Sequence, residues 1–290
     1  MLLTALIWGT AFVAQSSAMD SVDPFSFMAA RNLLGAIVLI PVILIFSDKK
    51  AKSDQKNTWI GGVVCGAILF VASALQQYGL VYTTTAKAGF ITTLYVVLVP
   101  LAGLFLGKKV MPVVWISVLL SVVGFYFLCI NENFTLAPGD LLVLLCAVAF
   151  TVHIMVIDHF SPKADGIKMS CIQFLVCGLL SLLFSLICGP ASPQALLSAW
   201  IPILYTGILS SGVAYTLQIL AQKFTDAVMV SLIGSLEAVF ATLFGFLFWK
   251  IGYIDNGNVT LQQLGGCALV FAAVILVQLP LKKGEKYETS

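Results

Sequence analysis

Charge is scarce in this chain: Asp, Glu, Lys and Arg make up 10% of its 290 residues, against about 25% in an ordinary soluble domain. A water-facing surface of ordinary size is thereby excluded. Polar runs are short too, the longest being the dozen residues from Ser47 to Thr58, too few to fold alone. Histidine is limited to His153 and His159, the second beside Asp158. Six residues apart, they face different sides of an ideal helix, which disfavours a metal pair and an integral-membrane enzyme built on one. No C-x-x-C spacing occurs among the seven cysteines. Cys65, Cys129, Cys146, Cys171, Cys177, Cys188 and Cys267 all sit in or at the ends of apolar stretches, and their odd number argues against a disulfide framework. They read as packing residues. No G-x-x-x-x-G-K-[ST] loop is present to hold ATP, and no cofactor is expected. The net charge of +2 comes from basic residues clustered in loops rather than on a face, which gives no reason to expect nucleic acid.

Apolar length is what the chain has, with 60% hydrophobic residues. It falls into ten stretches near 2–18, 25–46, 59–82, 88–107, 111–130, 139–159, 167–188, 200–222, 226–249 and 261–281. Each approaches the roughly 20 residues that a helix needs to cross a bilayer core. Lysines stay on the cytoplasmic side during insertion, and here they gather in alternate gaps. Lys49, Lys50, Lys52, Lys56, Lys108, Lys109, Lys163, Lys168, Lys223, Lys282, Lys283 and Lys286 fall on one side, against Lys87 and Lys250 on the other. Both termini are therefore expected in the cytoplasm of a cell membrane protein. The first stretch begins at Met1 with no basic residue before it, and native residues ahead of Met1 would account for its shortness. A cleaved signal peptide ending at Ser16-Ser17-Ala18 is the rival reading, but it lacks the positive charge and would leave nine helices.

The second half echoes the first at an offset of roughly 138 to 142 residues. Leu2-Leu3 through Ala11-Phe12-Val13 and Gln15 matches Leu141-Leu142 through Ala149-Phe150-Thr151 and His153. Arg31 falls opposite Gln173, and Val99-Pro100-Leu101-Ala102 opposite Glu237-Ala238-Val239-Phe240. A period of five helices is odd, so the halves would insert in opposite orientation, as in many secondary transporters. The expected organisation is a first repeat over 1–130, a second, inverted repeat over 139–281 and a cytoplasmic tail over 282–290.

Ala5-Leu6-Ile7-Trp8-Gly9-Thr10-Ala11-Phe12, Ala30-Arg31, the Pro100 region followed by Gly107-Lys108-Lys109, and Leu236-Glu237-Ala238-Val239-Phe240 resemble the drug/metabolite transporter superfamily and its EamA-like members. The resemblance covers nearly the whole chain. It departs from the family at Ala238, where proline is frequent, and at Lys108-Lys109, where an acidic residue is frequent. It implies an all-α membrane protein of ten helices, two inverted five-helix repeats around a central cavity, moving small metabolites by alternating access, with export the direction that fits.

Glu237 is the foremost candidate residue, about twelve residues into the ninth stretch and the only carboxylate far from any helix end. A charge at that depth costs roughly 2.5–3.5 kcal/mol on insertion scales, so such a residue usually faces a cavity or a partner. A proton or a cationic substrate group is its expected occupant, with a hydrogen bond to a neighbouring helix as the plainer alternative. Trp8, Phe12 and Gln15 share a helix face at i, i+4 and i+7, and Cys146, Phe150 and His153 repeat the pattern. Gln15 and His153 at equivalent depth suggest matched walls of a wet cavity, although a lone histidine is also a common hydrogen-bonded core residue. Gln76, Gln77, Tyr78 and Tyr82 lie on the third stretch, Tyr95 on the fourth, and Tyr205, Tyr215 and Gln218 on the eighth. Tyr82 and Tyr205 suit an interfacial belt. Tyr95 and Tyr215 are deeper and, with Gln76 and Gln77, are candidates for substrate contact. Arg31, two turns into the second stretch, either snorkels to water or joins charge coupling as a carboxylate binder or a partner of Glu237.

Small residues recur as Gly62-x-x-x-Gly66 and Gly103-x-x-x-Gly107, and as Ser231, Ser235, Ala238 and Thr242, which favours close helix approach. Pro41, Pro100 and Pro202 are candidate bend points. Amide and phenol groups, an aromatic wall and one acid suit an amino acid, an amine or an aromatic compound. The expected function is secondary active transport by a monomer or homodimer, with a passive channel or lipid flippase of the same fold as the alternative.

Overall fold

The computed structural model describes residues 1–46, 54–83, 85–129, 138–252 and 259–278. Among them there is no strand. The elements are α1 (Leu2–Met19), α2 (Pro24–Phe46), α3 (Gln55–Tyr82), α4 (Thr85–Thr93), α5 (Tyr95–Phe105), α6 (Pro112–Cys129), α7 (Pro138–Phe160) and α8 (Gly166–Cys188). There follow α9 (Pro193–Ser198), α10 (Trp200–Leu204), the π-helix π1 (Tyr205–Tyr215), α11 (Thr216–Ala221), α12 (Ala227–Gly234), α13 (Leu236–Lys250) and α14 (Leu261–Gln278). Nine helical runs among the described residues are long and apolar enough to cross a membrane. The remaining apolar helix, α6, falls short of that length over Pro112–Phe127. Lys49, Lys50, Lys52, Lys282, Lys283 and Lys286 lie outside the described residues.

Helix boundaries follow local chemistry. Pro24, Pro112, Pro138 and Pro193 open their helices, where the missing N–H costs nothing. The Asp54 carboxylate caps α3 by accepting from the backbone of Lys56 and Asn57, and Asp165 caps α8 through Ile167 and Lys168. Gly107, at φ 77°, ends α5 with the Lys108 N–H reaching back to the Gly103 carbonyl, a Schellman closure. That explains why Gly103-x-x-x-Gly107 makes no helix crossing: open space surrounds Gly107. Gly62 and Gly66 do make one, packing α3 onto Ile172 and Gln173 of α8 within the same chain.

Three spans are not continuous α-helix. The stretch at 88–107 tightens at Leu94, where hydrogen bonds run Leu94 to Ile91 and Val97 to Leu94. The stretch at 226–249 tightens likewise at Ser235, where Ala238 bonds back to Ser235. In the stretch at 200–222, Pro202 precedes the eleven-residue π1. π-Bonding inside a membrane helix is rare and concentrates at functional sites. Pro100 itself lies within α5 and Pro41 within α2.

Helix ends that carry lysine meet one another. The Asp54 N–H donates to the Lys163 carbonyl at 3.0 Å, Thr58 Oγ1 accepts from the Asp165 N–H at 2.9 Å, and Lys108 Nζ pairs with Asp158 at 2.6 Å. At the opposite end Thr83 donates to Asp140, and Ser26 bonds Ser185 at 2.7 Å. The Lys108 side chain is half exposed, so the pair is screened. Lys108→Ala is expected to cost at most about 1 kcal/mol, read as a small drop in the unfolding midpoint in detergent; a larger loss would show the pair to be structural.

Candidate functional site

Helices α1, α2, α3, α4, α5, α7, π1, α11 and α13 converge on a cavity with about 520 Å³ of unfilled space, counted out to its open mouth. From α1 come Trp8, Phe12 and Gln15, the face expected from their spacing, and from α2 comes Arg31. Gln76 and Thr92 line it together, the Gln76 amide donating to Thr92 Oγ1 at 3.4 Å. Tyr95 and Glu237 face it from the two tightened spans, and the Tyr95 hydroxyl donates to Glu237 Oε1 at 3.1 Å. The tightening at Leu94 lies one residue before Tyr95, and that at Ser235 two residues before Glu237. The two local departures from α-geometry thus join at the buried acid.

Phe150, His153 and Ile154 of α7 form the opposite wall with Ser210 and Tyr215 of π1 and Gln218 of α11. Tyr215 is the hub of an aromatic group, 4.7 Å from Trp8 between ring centres, 6.0 Å from His153 and 5.7 Å from Phe174. His153 Nε2 lies 3.1 Å from Gln173 Oε1, the residue placed opposite Arg31 by the sequence echo.

Gln77 goes elsewhere: it is fully buried, with its amide on Met19 Sδ at 3.4 Å, and is not part of the cavity wall. Cys146 is buried in the core beside Phe150. Tyr205 is not a simple belt residue, since its hydroxyl meets Thr10 Oγ1 of α1. Arg31 does not snorkel. It is 5% exposed, its Nη1 donates to Gln15 Oε1 at 2.7 Å, and its guanidinium lies 5.5 Å from the centre of the Phe27 ring. α2 packs against α8 and π1, and Arg31 lines the cavity rather than the bilayer-facing surface. Among the described residues it has no carboxylate partner, and it does not pair with Glu237.

The cavity wall is under-satisfied. Trp8 Nε1, Arg31 Nε, His153 Nδ1 and Gln218 Oε1 are buried with no hydrogen-bond partner among the described residues. An orphaned buried polar group costs about 1–3 kcal/mol, so four around one cavity mark a place where water or a ligand supplies what the chain withholds. No three His, Cys, Asp or Glu side chains converge to hold a metal ion among the described residues. Thr92, Phe150, Ile154, Ser210 and Gln218 complete the wall beyond the residues singled out as foremost candidates.

A profile described as the EamA-like transporter family matches the chain in two segments, residues 1–130 and 137–279. An uncharacterized transporter of Archaeoglobus fulgidus is 32% identical over 278 residues, covering 96% of this chain and 84% of that protein. A chloroplastic WAT1-related protein of Arabidopsis thaliana is 26% identical over 94% of this chain and 67% of its own length. Protein PecM of Dickeya dadantii is 24% identical over 94% and 89% respectively. A crystal structure with 23% sequence identity superposes with a TM-score of 0.75 over 96% of this chain and 94% of its own, a likeness of fold.

Proposed function

Because the chain belongs to the EamA-like transporter family, we propose that it is a secondary active transporter that carries a small metabolite across the cytoplasmic membrane by alternating access. The observation that carries this reading is the cavity: an arginine and a glutamate that do not pair with each other, Arg31 and Glu237, line it together with amide groups and an aromatic wall. Amino acids, amines and aromatic compounds are the substrates such walls suit. Export is the direction implied by the family resemblance. Glu237 is the coupling group, exchanging its proton when the cavity faces one side and then the other. Each charge moved through a potential of about 100 mV supplies roughly 2.3 kcal/mol, enough for nearly two powers of ten in concentration.

Several features support two inverted repeats as the moving parts. The family profile matches twice, once per half. The tightened turns at Leu94 and Ser235 are 141 positions apart, inside the sequence offset. Packing is reciprocal as well: α3 lies on α7 as α1 lies on π1, and α3 on α8 as π1 on α2. The gathering of Lys56, Lys108, Lys163 and Lys168 at joined helix ends supports placing both termini in the cytoplasm.

Counterflow in proteoliposomes tests the carrier. Unlabelled substrate inside is expected to accelerate entry of labelled substrate with saturation; linear, non-saturating flux points to a channel, and movement of labelled lipid to a flippase. Trp8→Ala removes one side of the ring pair with Tyr215. It is expected to weaken substrate affinity by about two- to tenfold, since an aromatic contact with the substrate contributes about 0.5–1.5 kcal/mol beyond its buried area. Equilibrium binding checks it, and unchanged affinity would take Trp8 out of the substrate path.

A further inference from the structure

We propose that Arg31 is the seat for a carboxylate, and that the substrate is a small carboxylate with an apolar or aromatic body. The inference rests on the reading of this cavity as the substrate site and names its chemistry. Arg31 is the only arginine in the chain and is buried without an anion among the described residues. Gln15 Oε1 meets one guanidinium nitrogen and the Phe27 ring lies near its face, which fixes the plane while leaving Nε–H unused. A guanidinium so held presents a planar donor fork, the geometry that a carboxylate meets with two parallel hydrogen bonds.

A second donor agrees. Trp8 Nε1–H also lacks a partner among the described residues, and an indole N–H can only donate. Two of the four orphaned groups of the wall, Arg31 Nε and Trp8 Nε1, are donors, and these two call for a ligand end made of acceptors. An ammonium group offers none and would meet Arg31 as a like charge. Glu237, the one acid of the wall, already accepts from Tyr95 and does not reach Arg31. Tyr215 packs beside Trp8, 4.7 Å between ring centres, and both line the same cavity. The anion end of the ligand therefore sits at Arg31, and its body lies against Trp8 and Tyr215.

Matched probes test this with the full chain in nanodiscs: phenylacetate against phenethylamine, indole-3-acetate against tryptamine, and isovalerate against isoamylamine. Titration calorimetry is expected to show at least one carboxylate binding at least about tenfold tighter than its amine, a gap of roughly 1.4 kcal/mol. That carboxylate is expected to slow phenylglyoxal modification of Arg31, followed by mass spectrometry, while its amine does not. Arg31→Gln is expected to lose the preference and Arg31→Lys to keep part of it; should Arg31→Gln fail to fold, protection in the unaltered protein decides. Amines binding as well as carboxylates, absence of protection, or no carboxylate bound at millimolar concentration would overturn the seat. Carboxylate binding and protection without counterflow would overturn the transport reading and leave the seat standing. Counterflow of an amine with Arg31 freely modified would do the reverse.

Discussion

Glu237→Gln is expected to yield a folded protein whose transport no longer responds to a pH gradient. Gln keeps the shape of the side chain and an acceptor for the Tyr95 hydroxyl, which lies 3.1 Å from Glu237 Oε1. It removes a carboxylate that costs roughly 2.5–3.5 kcal/mol to place at mid-membrane. The unfolding midpoint should therefore hold or rise. What is lost is a group that can take up and release a proton. In proteoliposomes a gradient of one pH unit, coupled through one proton, sustains about tenfold accumulation. With Glu237→Gln that accumulation should fall to none, while counterflow under equal pH persists. Accumulation that survived the substitution would remove Glu237 from coupling. Tyr95→Phe separates the proton site from its hydrogen-bond donor: it should shift the pH at which transport is half-maximal without abolishing the response.

Gly9→Ala is expected to be the most damaging single-methyl substitution on α1. A Cβ there would stand 2.6 Å from Phe240 Cβ, 2.7 Å from the Glu237 carbonyl oxygen and 2.8 Å from the Ala241 nitrogen. Two of these are backbone atoms of α13 and cannot rotate away. Alanine normally gains about 1 kcal/mol over glycine within a helix. Here overpacking of about 1–3 kcal/mol opposes it, and the helices must part. Because Trp8 and Glu237 are neighbours of that contact, substrate affinity should fall along with the unfolding midpoint. Gly245→Ala, with nothing within 4 Å, is the control and should be neutral or slightly stabilising. A Gly9→Ala protein as stable as the original would mean that α1 and α13 pack less closely than the structure has them.

Transmembrane layout was legible because hydrocarbon length is a simple constraint. The stretches at 25–46, 139–159 and 167–188 agree with α2, α7 and α8 to within a residue. α3 begins a turn before its stretch, since Gln55, Lys56 and Asn57 are polar yet helical once Asp54 caps them; hydropathy marks the bilayer, whereas helices project beyond it. The tightened turns and π1 were not legible. Leu94 and Ser235 carry no signal of their own, and a hydrogen bond shifted by one residue leaves apolar composition unchanged.

The cavity was partly legible for a reason of cost. Glu237, His153, Gln15 and Gln76 are expensive in an apolar helix, so cost alone drew attention to them. Ser210 and Thr92 are cheap, because short hydroxyl side chains can bond to their own helix, and nothing in the sequence set them apart from Ser231 or Thr242, which do so here. Gln77, adjacent to Gln76, was indistinguishable from it until the rotation of α3 was known. Snorkelling and charge coupling both fit Arg31 in the sequence, because depth along a helix can be counted there whereas the direction a side chain takes cannot.

The π-helix carries a geometric lever. Successive residues of an α-helix are about 100° apart around the axis, so hydrogen bonds that reach one residue further hold the later part of the span under-rotated. Any turn of π1 that reverted to α-bonding would swing Tyr215, Gln218 and the rest of α11 around the axis together, relative to Trp200 at the start of the span. A register change inside this single helix would turn the side chains of one cavity wall without a hinge and without sliding of the bundle.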